Sequence, residues 1–404
     1  MSQLFEFTSM AFPKAGVEVG QVPLTLSIVL YGILLIKYVN CILKSMSWIS
    51  GFLRYYLFFS FMVMFITILN FGKTTLFHSF VSLILVVSPM AIVLGQNIEL
   101  EKAKKILAIA LFIVGMYAII QWFFGIKNTA INGLNITYGD DFFNKPIGWG
   151  VDGREAIKMP TTYQNGNSAA VFYSMVIPIV AIWRPIKLRY KVLKLLSATV
   201  GVIGLAMSGS RSIIVPFVIC MPMFLKLALS KLPYRKQKLL IGLGFIIIPL
   251  SILYIITSNN DLIAFGYDRY ILQLIQDSTG AGRTTQVIAL FRELFNDGII
   301  AGGINLMIGF SWDRAVFAEG IFYLFSYYGI FVVFLMTCMF ICTLRKIYKI
   351  NKIVFLGLFS SVIAFIVDTS YCYIPVLINF YFVVGLFCQD IRKEKLNRIY
   401  LDRK

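Results

Sequence analysis

Residues 106–126 read ILAIALFIVGMYAIIQWFFGI, with the basic cluster EKAKK at 101–105 before them and Lys127 after them. The run contains no charged side chain. About 20 apolar residues at 1.5 Å each cross roughly 30 Å of hydrocarbon, so this stretch predicts a membrane-spanning helix. Runs of the same kind recur at 22–43, 50–71, 75–95, 167–183, 192–208, 212–230, 239–257, 319–343, 353–369 and 373–389. With 106–126 they make an expected eleven spans.

The whole chain agrees with that reading. Its 404 residues are 59% hydrophobic and only 14% charged, and the mean hydropathy is +0.81. Such a composition excludes an ordinary soluble domain and predicts an all-α polytopic membrane protein, residues 1–404 forming one integral-membrane domain. The first twenty residues lack the basic start and small-residue cleavage site of a signal peptide, so the first span is expected to remain. Placing EKAKK, RPIKLRYK, KLPYRKQK, RKIYKINK and the C-terminal tail on the cytoplasmic side collects most of the 37 lysines and arginines there. The net charge of +18 is then a topology signal and implies no nucleic-acid partner. The six cysteines lie in or beside spans, in neither a disulfide nor a zinc pattern.

An odd number of spans with the tail inside puts the N-terminus outside. Both long connections, 127–166 and 258–318, also fall outside, where function is to be sought. Arginines gather there. MSGSRSIIVP, 207–216, sets Arg211 at the outer start of a span, where unpaired N–H groups and the positive end of the helix dipole also point. TGAGRTTQ, 279–286, sets Arg283 before an amphipathic stretch running to Gly298, with Thr284 or Thr285 as its expected cap. REAIKMPTTYQNGNSAA, 154–170, brings Arg154, Lys158, Asn165 and Asn167 to the start of the fifth span. Arg269, Arg292 and Arg314 add further external cations, with Asp268, Asp277 and Asp313 as competing ion-pair partners.

A guanidinium at a helix start is a fitting anion site, and its fork geometry suits phosphate. The chain shows no P-loop, its lone His78 lies in an apolar span, and GDDF at 139–142 has too few carboxylates to specify a metal. A phosphate-handling site of this kind suits a reaction with a leaving group that is already good, such as a sugar pyrophosphate. Cations stabilise the departing charge, and a base takes the proton of the attacking hydroxyl. Glu319, opening the ninth span, is the candidate base, and an acid favoured by the helix dipole is the alternative reading of it.

These same residues resemble the O-antigen ligase and polymerase superfamily of bacterial membrane glycosyltransferases. MSGSRSIIVP resembles its Ser-x-Ser-Arg motif, and PTTYQNGNSAAVFYSMVIP (160–178) its Asn-x-Asn-Ser segment. GAGRTTQVIALFRELFNDGIIAGGIN (280–305) and AEGIFYLFSYYGIFVVFL (318–335) resemble its Gly-Arg, amphipathic helix, glycine-rich turn and following span. The likeness covers roughly residues 75–345 and implies a GT-C-like bundle and a metal-independent reaction without cofactor. It implies an undecaprenyl-pyrophosphate-linked oligosaccharide as substrate at the periplasmic face of the inner membrane. Arg211 and Arg283 match the arginines that hold pyrophosphate, and Arg154 resembles the first-loop arginine of polymerases. Ligases carry a histidine where this chain has Ala318, so the resemblance favours a repeat-unit polymerase over a ligase to lipid A core, with Glu319 one position away as the replacement base. In polymerases a glycine follows each loop arginine at a wider, fixed spacing, which Arg154 to Gly166 and Arg283 to Gly298 match loosely. A chain-length regulator is a partner the family leaves open. A flippase, the rival from another class, calls for polar groups along the membrane midplane, whereas the ionisable side chains here cluster at span ends.

Overall fold

A computed structural model of the chain describes residues 1–19, 22–73, 76–126, 128–134, 158–229, 282–296 and 298–389. The expected span 239–257 lies outside them, as do most of the first long connection and residues 258–281 of the second. The chain opens with helix α1 (Ser2–Ala11) and a small antiparallel hairpin, β1 (Gly16–Val19) and β2 (Val22–Thr25), with Gly16 opposite Thr25. Then follow α2 (Leu26–Lys37), a 3-10 turn, α3 (Ile42–Met46), α4 (Phe52–Leu69), α5 (Leu76–Val87), a second 3-10 turn, α6 (Ala91–Gln96) and α7 (Leu100–Phe124). After the first long connection come α8 (Gly166–Ile182), α9 (Leu188–Met207) and α10 (Arg211–Leu229). After the second come α11 (Arg283–Leu294), α12 (Ile299–Ile308), α13 (Ile321–Ile350), α14 (Lys352–Val367), a last 3-10 turn and α15 (Val376–Phe387).

Among the described residues, five helices are long and apolar enough to cross a membrane: Phe52–Leu69, Leu76–Gln96, Leu100–Phe124, Leu188–Met207 and Ile321–Ile350. The quoted stretch 106–126 falls in the third of these. The first expected span differs. Thr25 accepts a hydrogen bond from the Ile28 amide and so starts α2 only at Leu26, leaving 22–25 extended, and Leu26–Lys37 meets Val39–Met46 at 70°. Four more expected spans fall on shorter apolar helices, α8, α10, α14 and α15. The molecule is an all-α membrane bundle, its hairpin apart.

Every residue of α15 is buried, so this helix forms the centre and the others wrap it. Small residues let backbones approach closely, as expected where lipid supplies no hydrophobic drive between helices. A Cβ on Gly385 would lie 2.3 Å from the Ile92 carbonyl oxygen, and one on Gly95 2.2 Å from that of Phe382, so α6 and α15 cross backbone on backbone. Gly115 meets Val200 in the same way where α7 crosses α9.

Two features aim the chain at the site described below. Gly329, at φ 77° and ψ 176°, breaks α13 and lets the end of α12 press against it. The carbonyls near the break do not go unpaired: Ser326 O accepts from the Phe310 amide at 2.8 Å and Tyr327 O from the Trp312 indole at 3.1 Å. His78 stacks on Tyr327, ring centroids 4.8 Å apart, in the packing role its apolar span predicts. At the far end α13 turns into α14 at Asn351, whose side chain accepts from the Ile353 and Val354 amides at 3.0 and 3.2 Å. Also at that end, Lys194 donates to the Ala181 and Trp183 carbonyls at 2.8 and 2.6 Å, closing the C-terminus of α8.

One carboxyl in the core has nothing to balance it. Glu6, on α1, is 0% exposed, and the described residues offer neither of its oxygens a hydrogen-bond partner. Burial pushes it up from 4.5 to about 8. With the folded pKa above the unfolded one, its favourable contribution is complete below pH 4.5 and is lost as pH rises towards about 8. Glu6→Gln removes the titration. In detergent, the melting temperature of the variant minus that of the parent should grow between pH 4.5 and 8 and then level off; a constant difference over that range would contradict the burial of the charge.

Candidate functional site

Four separated pieces of chain meet where α14 ends. The first is the start of α8. Asn165 caps it, its Oδ1 accepting from the Ser168 amide at 2.8 Å. Gly166 follows, and a Cβ there would lie 2.1 Å from the Ser208 carbonyl oxygen, so the second piece, Ser208–Arg211, packs directly on it. The Met159 amide donates to the Met207 carbonyl at 3.1 Å, and Lys158 runs over Gly209, where a Cβ would come within 2.9 Å of its Cγ. Ser208 and Ser210 are buried beneath, and Arg211 is the first residue of α10.

The third and fourth pieces bring opposite charges. Gly282, at φ 80°, precedes α11 and makes Arg283 its first residue, so the helix starts without Thr284 or Thr285 as cap. Arg283 Nε donates to Glu319 Oε2 at 2.5 Å, and its Nη2 lies 3.5 Å from Asp368 Oδ2. That same Asp368 oxygen accepts from Asn167 Nδ2, and its other oxygen from the Ser370 amide at 2.8 Å. Gly320 explains why Glu319 reaches this point: at φ 67°, with a would-be Cβ 2.1 Å from the Ile366 carbonyl oxygen, it lays its backbone on the last turn of α14. Tyr371 fixes it there by donating to the Gly320 carbonyl at 2.8 Å, and the Glu319 amide donates to Gln286 Oε1 at 3.1 Å.

Asp368 lies one residue beyond the end of α14, its side chain 5% exposed, whereas Arg283 and Glu319 are 28% and 30% exposed. The Asp368 carboxyl lies buried beside the Glu319 carboxylate, and the Arg283 guanidinium and the Lys158 ammonium both act on it. Lys158 thus joins the two halves of the site, lying over the turn that leads to Arg211 and acting on the carboxylate that holds Arg283. Two cations, Arg283 and Lys158, thus face two carboxylates, with Arg211 opening the helix that follows the turn beneath Lys158. Cations at helix starts beside a partly exposed carboxylate suit an oxyanion with a group able to accept a proton next to it.

Of the residues singled out from the sequence, Lys158, Asn167, Arg283 and Glu319 come together here, and the turn that leads into Arg211 packs against Gly166 and Lys158. Asn165 is present as a helix cap. Arg314 sits on the exposed loop after α12, beside Asp313, where the Lys73 ammonium reaches Ser311 at 3.0 Å. That loop is tied down by the Trp312 amide donating to Asn70 at 3.0 Å. Arg154, Arg269 and the pair Asp140–Asp141 lie outside the described residues. Asp368 is the residue that reading the sequence passed over. The signal was available: it is the one charged residue in the apolar run 353–369, and an ionisable side chain there is a functional candidate by default.

No family model matches the chain, and no curated protein matches it. The case for this site rests on its geometry. Removing the guanidinium leaves two carboxylates side by side, one of them buried. Arg283→Met should therefore destabilise the protein by about 1–3 kcal/mol, and adding Asp368→Asn should recover part of the loss. Melting curves in detergent for both singles and the double would show this coupling; strictly additive losses would mean that the pair does not interact.

Proposed function

We propose that the protein is a membrane glycosyltransferase, a repeat-unit polymerase acting on polysaccharide precursors carried by undecaprenyl pyrophosphate. The reading places eleven spans in a GT-C-like bundle in a bacterial inner membrane, with the basic helix ends in the cytoplasm and the Arg211–Arg283 site facing the periplasm. The observation that carries it is the meeting of Lys158, the turn that leads into Arg211, and the Arg283–Glu319–Asp368 cluster at one end of the bundle, from separate pieces of chain.

In the reaction, a hydroxyl of a fresh lipid-linked repeat unit attacks the anomeric carbon of the growing glycan. The bond from that carbon to the pyrophosphate oxygen breaks, and undecaprenyl pyrophosphate leaves with the bonding electrons. Arg211 and Arg283 are assigned to the charge that develops on it, and Arg154 and Lys158 to the phosphate or sugars of the acceptor. The hydroxyl proton passes to a carboxylate. Glu319 is the more accessible of the two present, which favours it as base, with Asp368 holding Arg283 in position. The incoming diphosphate competes with both carboxylates for Arg283, so binding and freeing of the base are linked.

The test uses the purified chain, synthetic lipid-linked repeat units and no core lipid. A ladder of lengthened glycans is expected, and Arg211→Ala or Arg283→Ala should slow it about 100-fold or more. Lysine at position 283 should restore little, because it cannot bridge two carboxylates and a phosphate. A product formed only when lipid A core is added would make the protein a ligase. Movement of the carrier across the bilayer with no lengthening would make it a flippase.

A further inference from the structure

A groove of about 720 Å³ runs along the first half of α4, at the end of the bundle away from Asp368. Leu53, Leu57, Phe58 and Phe61 line it and Arg54 stands at its edge, the helical spacing that puts side chains on one face. Phe58 and Phe61 are 60% and 65% exposed, so this face of α4 is not covered by the described part of the chain.

Charge separates this groove from a plain lipid-facing stripe. Arg54 is propped on the neighbouring Tyr55, 5.2 Å above the ring, with Nη2 3.4 Å from its hydroxyl. Arg345 stands on α13 three residues beyond Cys342, and both guanidiniums act electrostatically on that thiol. They do so where Gly51 packs on α13, a Cβ there falling 3.5 Å from Cys342 Sγ. No carboxylate among the described residues forms an ion pair with either arginine. Two guanidiniums, neither ion-paired with a described carboxylate, thus stand near one end of an apolar trough.

We infer that this groove binds an anionic phospholipid, one acyl chain lying along Leu57, Phe58 and Phe61 and the headgroup phosphate bridging Arg54 and Arg345. The charge and the planar fork match a phosphate, and the trough matches a hydrocarbon chain leaving it in the direction of the membrane interior. The site is separate from the glycosyltransferase reading and stands or falls independently of it.

Native mass spectrometry of the full chain in detergent, with phosphatidylglycerol and phosphatidylcholine as probes, tests it. One phosphatidylglycerol should survive activation that strips phosphatidylcholine. Arg54→Gln with Arg345→Gln should cut that adduct about tenfold, while Lys349→Gln with Lys352→Gln, equal charge lost at the same end, should leave it. Matching circular dichroism and elution volumes show that the loss is not unfolding. Should the arginine double variant fail to fold, Arg54→Lys carries the test, with an intermediate loss expected because charge stays and the fork goes. Equal retention of the two lipids, an equal loss in the lysine control, or a chain that runs as a dimer and retains no lipid would each overturn the assignment.

Discussion

A carboxylate enclosed where α14 ends is the constraint on which the arrangement of the site depends. Asp368 is nearly inaccessible, and a lone buried charge costs several kcal/mol unless its neighbours answer it. Asn167 and the Ser370 amide supply hydrogen bonds, and Arg283 and Lys158 supply charge. Those groups come from α8, the turn after α14, α11 and the approach to α8. Satisfying one acid therefore draws the start of α8 and the start of α11 to the end of α14, and Glu319 arrives with Arg283.

Close backbone contact makes that convergence possible. Gly320 against the end of α14 and Gly166 against Ser208 are places where any side chain would push the pieces apart. Farther in, Gly95 and Gly385 let α6 lie on the fully buried α15, so the helices that carry the site rest on a rigid centre. The break at Gly329 plays a different part. It turns the first half of α13, and the carbonyls beside the break fasten the loop that leads from α12 to Glu319.

Hydrophobic length was easy to read from sequence because a membrane span has a single requirement, enough apolar residues in a row; the run 106–126 and its counterparts in α4, α9 and α13 became long helices. The break within 22–46 was not legible, since Thr25 and the bend after Lys37 act through hydrogen bonds and packing that apolar content does not record. Within the site, Arg211 and Arg283 stood out because they sit at helix starts beside glycines. Asp368 did not. Its role depends on which helix end comes to rest beside Arg283, a fact of tertiary structure carried by the hold of Tyr371 on Gly320, which is far from it in sequence. Asn165 and Asn167 illustrate the same limit: side by side in one motif, one caps a helix and the other serves the acid.

The lysine that closes α8 carries a consequence for how such chains tolerate drift. Lys194 is already committed to two peptide oxygens, so its ammonium is a structural clasp as well as a charge. An arginine gained a few positions away could keep the electrostatic tally intact and still leave those oxygens bare. Neutral exchange among cations at that rim is thus narrower than a count of them suggests.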